Sequence, residues 1–185
     1  LKELSKDAET GEKVVALFEI GEHMPYGSLL FFTKKGMIKK TDWAEYEQRK
    51  DSFQAVKLNE DDELLTVEED TNDEDTIIIV TKEGICLNAV KDDIPTQGRI
   101  ATGVRGIMLH ENDEVVLMTQ INGEGEIIIA TDEGKFKRVI SSQIEPSKRY
   151  RKGNIIVGLR EGASVICASY VTVPYMLAVV EKNNA

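Results

Sequence analysis

The chain is poor in the residues from which most active sites are built. Among 185 residues there are two histidines, His23 and His110, and two cysteines, Cys86 and Cys167. Neither histidine has a cysteine or a second histidine at metal-ligand spacing, which argues against a zinc site. Both cysteines lie inside apolar runs, the pattern of buried reduced thiols in a cytoplasmic protein and not of a disulfide framework. No stretch approaches the roughly 18 apolar residues of a membrane-spanning helix, and no segment has the layout of a secretory signal. Glycines stand at 98 and 103 without a strand-to-helix context, and no phosphate-cradling loop with its lysine and hydroxyl is present. Acid pairs such as Asp61 and Asp62 fall at turn positions and read as solvated loop charge, not as a general acid and base. No cofactor is expected in this chain. Helical periodicity is scarce too: residues 41–48 alone are expected to make a short helical turn, with Asp42 as its cap.

What the chain does have is a repeated hairpin. Residues 29–39, 76–87 and 127–137 each read as a strand, a Thr-x-x-Gly turn (written Thr-Lys-Lys-Gly, Thr-Lys-Glu-Gly and Thr-Asp-Glu-Gly) and a returning strand. Gly36, Gly84 and Gly134 are spaced 48 and 50 residues apart, a period typical of propeller arrays. After each hairpin comes a long polar connection, then strand-like runs at 53–58, 104–109 and 154–159. Five-residue turns follow at 59–63, 110–114 and 160–164, and closing strands at 64–67, 115–118 and 165–168. The third turn positions, Asp61, Asn112 and Gly162, with Gly11 as the N-terminal counterpart, are the residue types that best tolerate left-handed backbone. Residues 14–18 and 175–180 read as strands of incomplete units, with Asn184 in the glycine's place. The expected fold is therefore all-β, built from propeller-like blades of about fifty residues and four strands. The units are a partial 1–27, full repeats 28–75, 76–125 and 126–173, and a partial 174–185, a piece of a longer polypeptide.

Charge is distributed unevenly. The formal net charge is −10, yet residues 1–75 hold 20 acids against 10 bases while residues 76–185 hold 13 of each. Between Gly134 and Arg160 a single acid, Glu145, faces eight bases: Lys135, Lys137, Arg138, Lys148, Arg149, Arg151, Lys152 and Arg160. The second connection places Arg99 and Arg105 among glycines, and the third packs Lys148, Arg149, Arg151 and Lys152 around Tyr150. The first is poorer, with Arg49 and Lys50 opposed by Glu45, Glu47 and Asp51. Basic loops at one position of successive repeats would line one face and can follow a phosphate backbone without reading sequence. Lys135, Lys137 and Arg138 belong to the same candidate surface. The alternative is a protein-interaction module whose working surface is the acidic segment 59–75.

At these residues the chain resembles the C-terminal domain of the A subunit of the bacterial type IIA topoisomerases, DNA gyrase and topoisomerase IV. The resemblance spans nearly the whole chain. It rests on the hairpins, on Gly98-Arg99-x-Ala101-x-Gly103-Val104-Arg105-Gly106-Ile107, and on Asn112-Asp113-Glu114-Val115-Val116. It implies a β-pinwheel, blades of four strands with an exchanged strand linking neighbours. It implies a non-catalytic domain that binds or wraps double-stranded DNA through a basic outer rim, supporting ATP-dependent change of DNA topology. The partners it implies are the remainder of the A subunit, together with its ATPase B subunit, in the bacterial cytoplasm at the nucleoid and away from any membrane. Carried over residue by residue, Arg99, Arg105, Lys148, Arg149, Arg151 and Lys152 become the candidate phosphate contacts. Gyrase's glutamine-arginine-arginine-glycine-glycine-lysine-glycine box has no intact counterpart; residues 148–153 are a basic, degenerate version, which leaves gyrase and topoisomerase IV both open. Arg149-Tyr150 resembles the arginine–tyrosine pair of the family's catalytic site, but its neighbours differ, and Tyr150 is expected in a loop and not as a nucleophile.

Overall fold

The Thr-x-x-Gly turns do close tight hairpins. In this computed structural model, which describes residues 13–23, 25–50, 52–71, 75–172 and 174–178, β1 (Ser28–Thr33) pairs with β2 (Met37–Asp42). Further on, β4 (Thr76–Thr81) pairs with β5 (Ile85–Val90), and β8 (Glu126–Thr131) with β9 (Phe136–Ile140), all antiparallel. The turn glycines carry φ of 76, 77 and 72°, a conformation that glycine adopts without steric cost. Each hairpin is extended by a closing strand of its own repeat: β3 (Leu64–Glu69) on β1, β7 (Val115–Ile121) on β4, β11 (Val165–Val171) on β8. The expected left-handed turn positions hold, with Asp61 at φ 57°, Asn112 at 66° and Gly162 at 81°.

The fourth strand of a sheet comes from the next repeat. β6 (Val104–Arg105) lies on the outer edge of β2, giving the order β3-β1-β2-β6. β10 (Asn154–Ile155) does the same on β5, giving β10-β5-β4-β7. The third sheet is β11-β8-β9 among the described residues. This is the exchanged-strand arrangement of a β-pinwheel. Runs 104–109 and 154–159 form only two-residue strands for a geometric reason. β6 pairs with Ile38 and Met37, the start of β2, so the edge ends there and the chain must leave it. Gly106 N then donates to Gly36 O at 2.7 Å, and Ile107 packs over Gly36.

Strand alternation builds two inter-sheet cores. Leu30, Phe32 and Ile38 of the first sheet meet Ile77, Ile79, Ile85 and Leu87 of the second. Ile78, Val80 and Cys86, on the second sheet's opposite face, meet Ile127 and Ile129 of the third. β4 is thus buried on both faces, and each of its fully buried isoleucines contributes about 1.5–3 kcal/mol. Burial also pushes the Cys86 thiol up to about 12, which leaves it protonated and inert. Neighbouring units are latched near the hairpin turns. Val115 N donates to Lys34 O and Val165 N to Lys82 O, both at 2.8 Å. Buried Asp62 accepts from the amides of Lys35 and Glu63, and Asp113 from those of Glu83 and Glu114.

Several expectations fail. Residues 14–18 and 53–58 form no strand, and neither do 175–178; residues 179–185, with Asn184, and Gly11 lie outside the described residues. A closing strand needs the hairpin of its own unit and a crossing strand that of the preceding one, and no such hairpin is among the described residues for these segments. Phe18 instead sets its ring edge-on to Trp43 at 5.4 Å. The helical turn is a 3-10 turn, Trp43–Tyr46, and Asp42 does not cap it, because its carboxylate accepts from Ser28 Oγ at 2.8 Å. A second 3-10 turn, Ser141–Gln143, is too short to leave a helical periodicity in the sequence.

A Cβ at Gly103 would lie 2.4 Å from Ile38 O, whereas one at Gly134 would meet nothing within 4 Å; both glycines have positive φ. Gly134→Ala is expected to cost only the left-handed penalty of about 1–2 kcal/mol. Gly103→Ala is expected to cost clearly more, because β6 must be pushed off β2. Urea unfolding of the two variants, compared with the parent, checks the difference.

Candidate nucleic-acid interface

The second and third connections follow one path. Each leaves its hairpin, returns along the outer edge of the preceding one, and is held at both ends of its basic stretch. Gln97 N donates to Lys40 O at 2.8 Å, and fifty residues on Ser147 N donates to Asn88 O at 2.8 Å. The basic stretches 98–102 and 148–152 follow, and then Gly103 and Gly153 pass so close to the preceding hairpin that a Cβ would meet Ile38 O or Cys86 O. The bases therefore stand on short spans tethered at each end.

Within that frame the expected contacts divide into two kinds. Arg99 and Arg149 occupy equivalent positions, and both turn back into the protein. Arg99 donates to the carbonyl of Gln54, and its guanidinium lies 5.4 Å from the Phe53 ring. Arg149 Nε donates to Asp93 O at 3.2 Å and pairs with Asp93 Oδ1 at 3.3 Å, while Nη1 donates to Arg105 O at 3.1 Å. These two arginines tie one connection to the next. Lys148, Arg151 and Lys152 are exposed, and no side-chain hydrogen bond or ion pair engages them among the described residues. Arg105 joins them across the repeat boundary. Its guanidinium lies 5.5 Å from the Tyr150 ring, and Nη1 donates to Tyr150 Oη at 2.8 Å. Tyr150 sits at φ 57°, a conformation unfavourable for an aromatic residue, held where its N–H donates to Gly106 O at 2.6 Å. Arg105, Lys148, Arg149, Arg151 and Lys152 are thus brought to one crossing around Tyr150, and Arg99 stands at the preceding one.

The remaining bases lie on the third hairpin. Lys135 pairs with Glu133 at 2.6 Å and Arg138 with Glu126 at 3.5 Å; Lys137 on β9 is exposed. The acidic segment is differently engaged. Asp62 latches the first turn, Glu63 pairs with Lys34 at 2.7 Å, and Glu68 accepts from Gln120. Asp70 lies between Lys40 and Lys91, at 2.5 and 2.7 Å. Burial alone would raise its pKa, but the two ammonium groups outweigh that and hold it below the usual carboxylate value. Among the described residues no group of three potential metal ligands occurs, and no helix is long and apolar enough to cross a membrane.

Sequence reasoning missed Lys39. It lies on β2 on the face opposite to that of Ile38, beside Phe31 and Tyr46, and is 1% exposed. Burial, with the Arg99 guanidinium adding to it, pushes its pKa down to about 8. The legible signal was a lysine three residues after the turn glycine, where the next repeat has Leu87.

Fold and rim define a β-pinwheel domain, and comparison with known proteins gives it a family. The family described as DNA gyrase C-terminal domain, beta-propeller, matches residues 27–68, 75–122 and 125–168. The chain belongs to that family, the C-terminal domains of gyrase and topoisomerase IV A subunits. It is 38% identical over 152 residues to the A subunit of DNA topoisomerase 4 from Bacillus subtilis, covering 81% of this chain and 18% of that protein. It is 33% identical over 165 residues to the A subunit of DNA gyrase from Klebsiella oxytoca, covering 88% and 19%. The chain thus spans about a fifth of the length of these relatives. A solved structure, the C-terminal domain of DNA topoisomerase IV, superposes with a TM-score of 0.83 at 24% identity, over 89% of this chain and 52% of that one. The E. coli ParC C-terminal domain gives 0.58 at 13% identity, over 80% and 57%.

The division among the arginines and lysines has a thermodynamic consequence. Arg149→Ala removes a charged donor from two carbonyls and a carboxylate, and is expected to lower unfolding stability by about 1.5–3 kcal/mol. Lys152→Ala touches no partner and is expected to stay within about 0.5 kcal/mol of the parent. Chemical denaturation of both variants checks this.

Proposed function

We propose that this chain is the DNA-holding part of the A subunit of a bacterial type IIA topoisomerase, and that it binds duplex DNA without sequence preference along its outer rim. The observation that carries this reading is the crossing around Tyr150, where Lys148, Arg151 and Lys152 are unengaged beside Arg105. Cations without internal partners on a tethered span release counterions from a phosphate backbone at little cost in ordering. Lys135, Lys137 and Arg138 extend the same charge onto the third hairpin. Arg99 and Arg149 shape the rim by holding the spans in place. In the whole protein, strand cleavage would belong to the rest of the A subunit, ATP hydrolysis to its B subunit, with this domain setting the path of the DNA. The setting is the bacterial cytoplasm, at the nucleoid. The net charge of −10 does not oppose this, because local potential and not the sum governs an encounter.

A protein-interaction role for segment 59–75 is less favoured. Asp62, Glu68 and Asp70 are engaged in latches within and between sheets and Glu63 pairs with Lys34, which leaves Glu60, Asp61 and Glu69 as its exposed acids without an ion pair among the described residues.

The test is DNA affinity as a function of salt. The chain is expected to bind short duplexes of unrelated sequence equally, with a steep loss of affinity as salt rises. Lys148→Ala, Arg151→Ala and Lys152→Ala combined are expected to reduce the slope of log affinity against log salt by about 2–3, at roughly 0.9 for each phosphate that loses its cation. An unchanged slope moves the DNA-binding face elsewhere. No binding at low salt ends the DNA reading and favours the protein-interaction one.

A further inference from the structure

Lys39 Nζ carries three donors and meets three oxygens. Arg99 O lies at 2.6 Å, Ala55 O at 2.8 Å and Tyr46 Oη at 3.1 Å, with the Phe31 ring centroid 4.5 Å away. All three acceptors are neutral, which is unusual for an ammonium group 1% exposed. They come from three separate places: the 3-10 turn, the first long connection and the second. Lys57 N, donating to Ala101 O at 3.3 Å, is a further link between the two connections.

The fold does not demand a lysine here. Lys39 stands opposite Phe31 on β1, and the same register holds Leu87 opposite Ile79 and Lys137 opposite Ile129. Leu87 is buried among apolar side chains, so the strand accepts an apolar residue at this point. At the second sheet, where the position is leucine, Arg149 joins neighbouring connections through Asp93 and Arg105 instead. At the first sheet the lysine reaches both connections directly.

We propose that Lys39 is a positioning residue that locks the first and second long connections together and thereby fixes the rim span that carries Arg99 and leads to Arg105. Its consequence for DNA rests on the proposed DNA-holding function; its consequence for the connections does not. Removing the ammonium leaves Arg99 O without its donor, while Ala55 O keeps the Tyr46 hydroxyl at 3.1 Å. The second connection is therefore the one that loosens.

The group also titrates in an accessible range. The surroundings that face it are Phe31 from β1, Glu45 and Tyr46 from the 3-10 turn, Ala55 O from the first connection and Arg99 from the second. Burial pushes the Tyr46 phenol up to about 12, so it stays neutral while Lys39 titrates near 8. Unfolding or release of the connection returns Lys39 to its ordinary 10.5. The folded form thus holds this proton less tightly, and the Lys39 contribution to stability rises with pH between about 8 and 10.5, opposed above about 9 by the raised Cys86 thiol. The neutral amine keeps two donors, so the link persists across the transition.

Hydrogen exchange of the folded chain tests this, read at the amides of Gln97, Ala101 and Lys57. In Lys39→Met these amides are expected to exchange about tenfold faster or more, the loss of one hydrogen bond from a charged donor. Ser147, which makes the corresponding bond at the second sheet, and Val90, which donates to Ser147 O, are expected to be unchanged, as is the whole pattern in Lys137→Met. Lys39→Arg, which keeps charge and donors, is expected to restore most of the protection. The parent is expected to gain stability between pH 8 and 9, below the range in which the raised Cys86 thiol counts against it, and Lys39→Met to lose that gain. Unchanged exchange at Gln97, Ala101 and Lys57 in Lys39→Met overturns the proposal, and so does a pH gain that survives the substitution. Faster exchange with DNA affinity equal to the parent's overturns the positioning of the rim toward DNA. A parent that binds no DNA defeats the functional reading alone, since the exchange result still judges the lock.

Discussion

The structure depends on a close crossing of two backbones. At Gly103 the second connection passes β2 at a distance that leaves no room for a side chain, and at Gly153 the third passes β5 in the same way. Without that approach β6 and β10 could not reach the free edges of β2 and β5. The first two sheets would then each lack a strand, and their outer ladders would stand unpaired. The crossing also makes the repeats interdependent. The first sheet is completed by residues of the second repeat, and the second sheet by residues of the third. Stability in such an array lies in the junctions between neighbours as much as in the units. The bonds from Val115 N to Lys34 O and from Val165 N to Lys82 O strengthen those junctions at their other end, while Asp62 and Asp113 brace the hairpin turn within each unit.

The crossing determines where charge can stand. A span anchored at Gln97 and Gly103, or at Ser147 and Gly153, has room for about five residues; Arg99 and Arg149 turn back into the protein, and Lys148, Arg151 and Lys152 stand exposed. Acids collect instead at the turns and junctions, where amides and ammonium groups receive them. Glu114 shows this: hydrogen bonding from Lys82 is the leading cause that holds its pKa low, with Lys35 contributing from the neighbouring turn. Acids such as Glu63, Asp70 and Glu114 are thus paired with lysines away from the two spans, so a chain with ten more acids than bases still has exposed cations clustered at 148–152.

Much of the architecture was legible in the sequence because it is periodic. The Thr-x-x-Gly turns, the Asp61, Asn112 and Gly162 positions and the apolar alternation all repeat, and repetition separates signal from accident. Less legible was anything that depends on which edge a segment meets. Runs 104–109 and 154–159 are apolar enough for full strands, but their length is set by where β2 and β5 begin, which no local pattern encodes. Residues 14–18 and 53–58 have strand composition and no ladder to join among the described residues. The basic stretch 148–152 was visible as a cluster of charge. The division of the bases into tying arginines and free cations was not, since Arg99 and Arg151 differ only in what lies across the chain from them. Asp42 was a reasonable cap by residue type, and Ser28 Oγ is a competing donor fourteen residues away that the local sequence does not reveal.

The tethering of the rim bears on what a DNA-holding domain can do. Cations on a mobile loop would neutralise phosphates wherever the duplex happened to lie, and would leave its path unaltered. Cations on a span held at both ends, with Arg99, Arg149 and Lys39 fixing it from behind, keep their spacing when the duplex arrives. On the proposed function, a duplex that met cations on such a tethered span would have to adapt to their spacing. The elastic cost of bending, of order 1–6 kcal/mol for a 20–30 base-pair site, falls on the DNA and not on the protein. On that reading the buried lysine and the two inward arginines matter as much as the exposed cations. On it the exposed residues would supply attraction, and the engaged ones would convert it into a defined path.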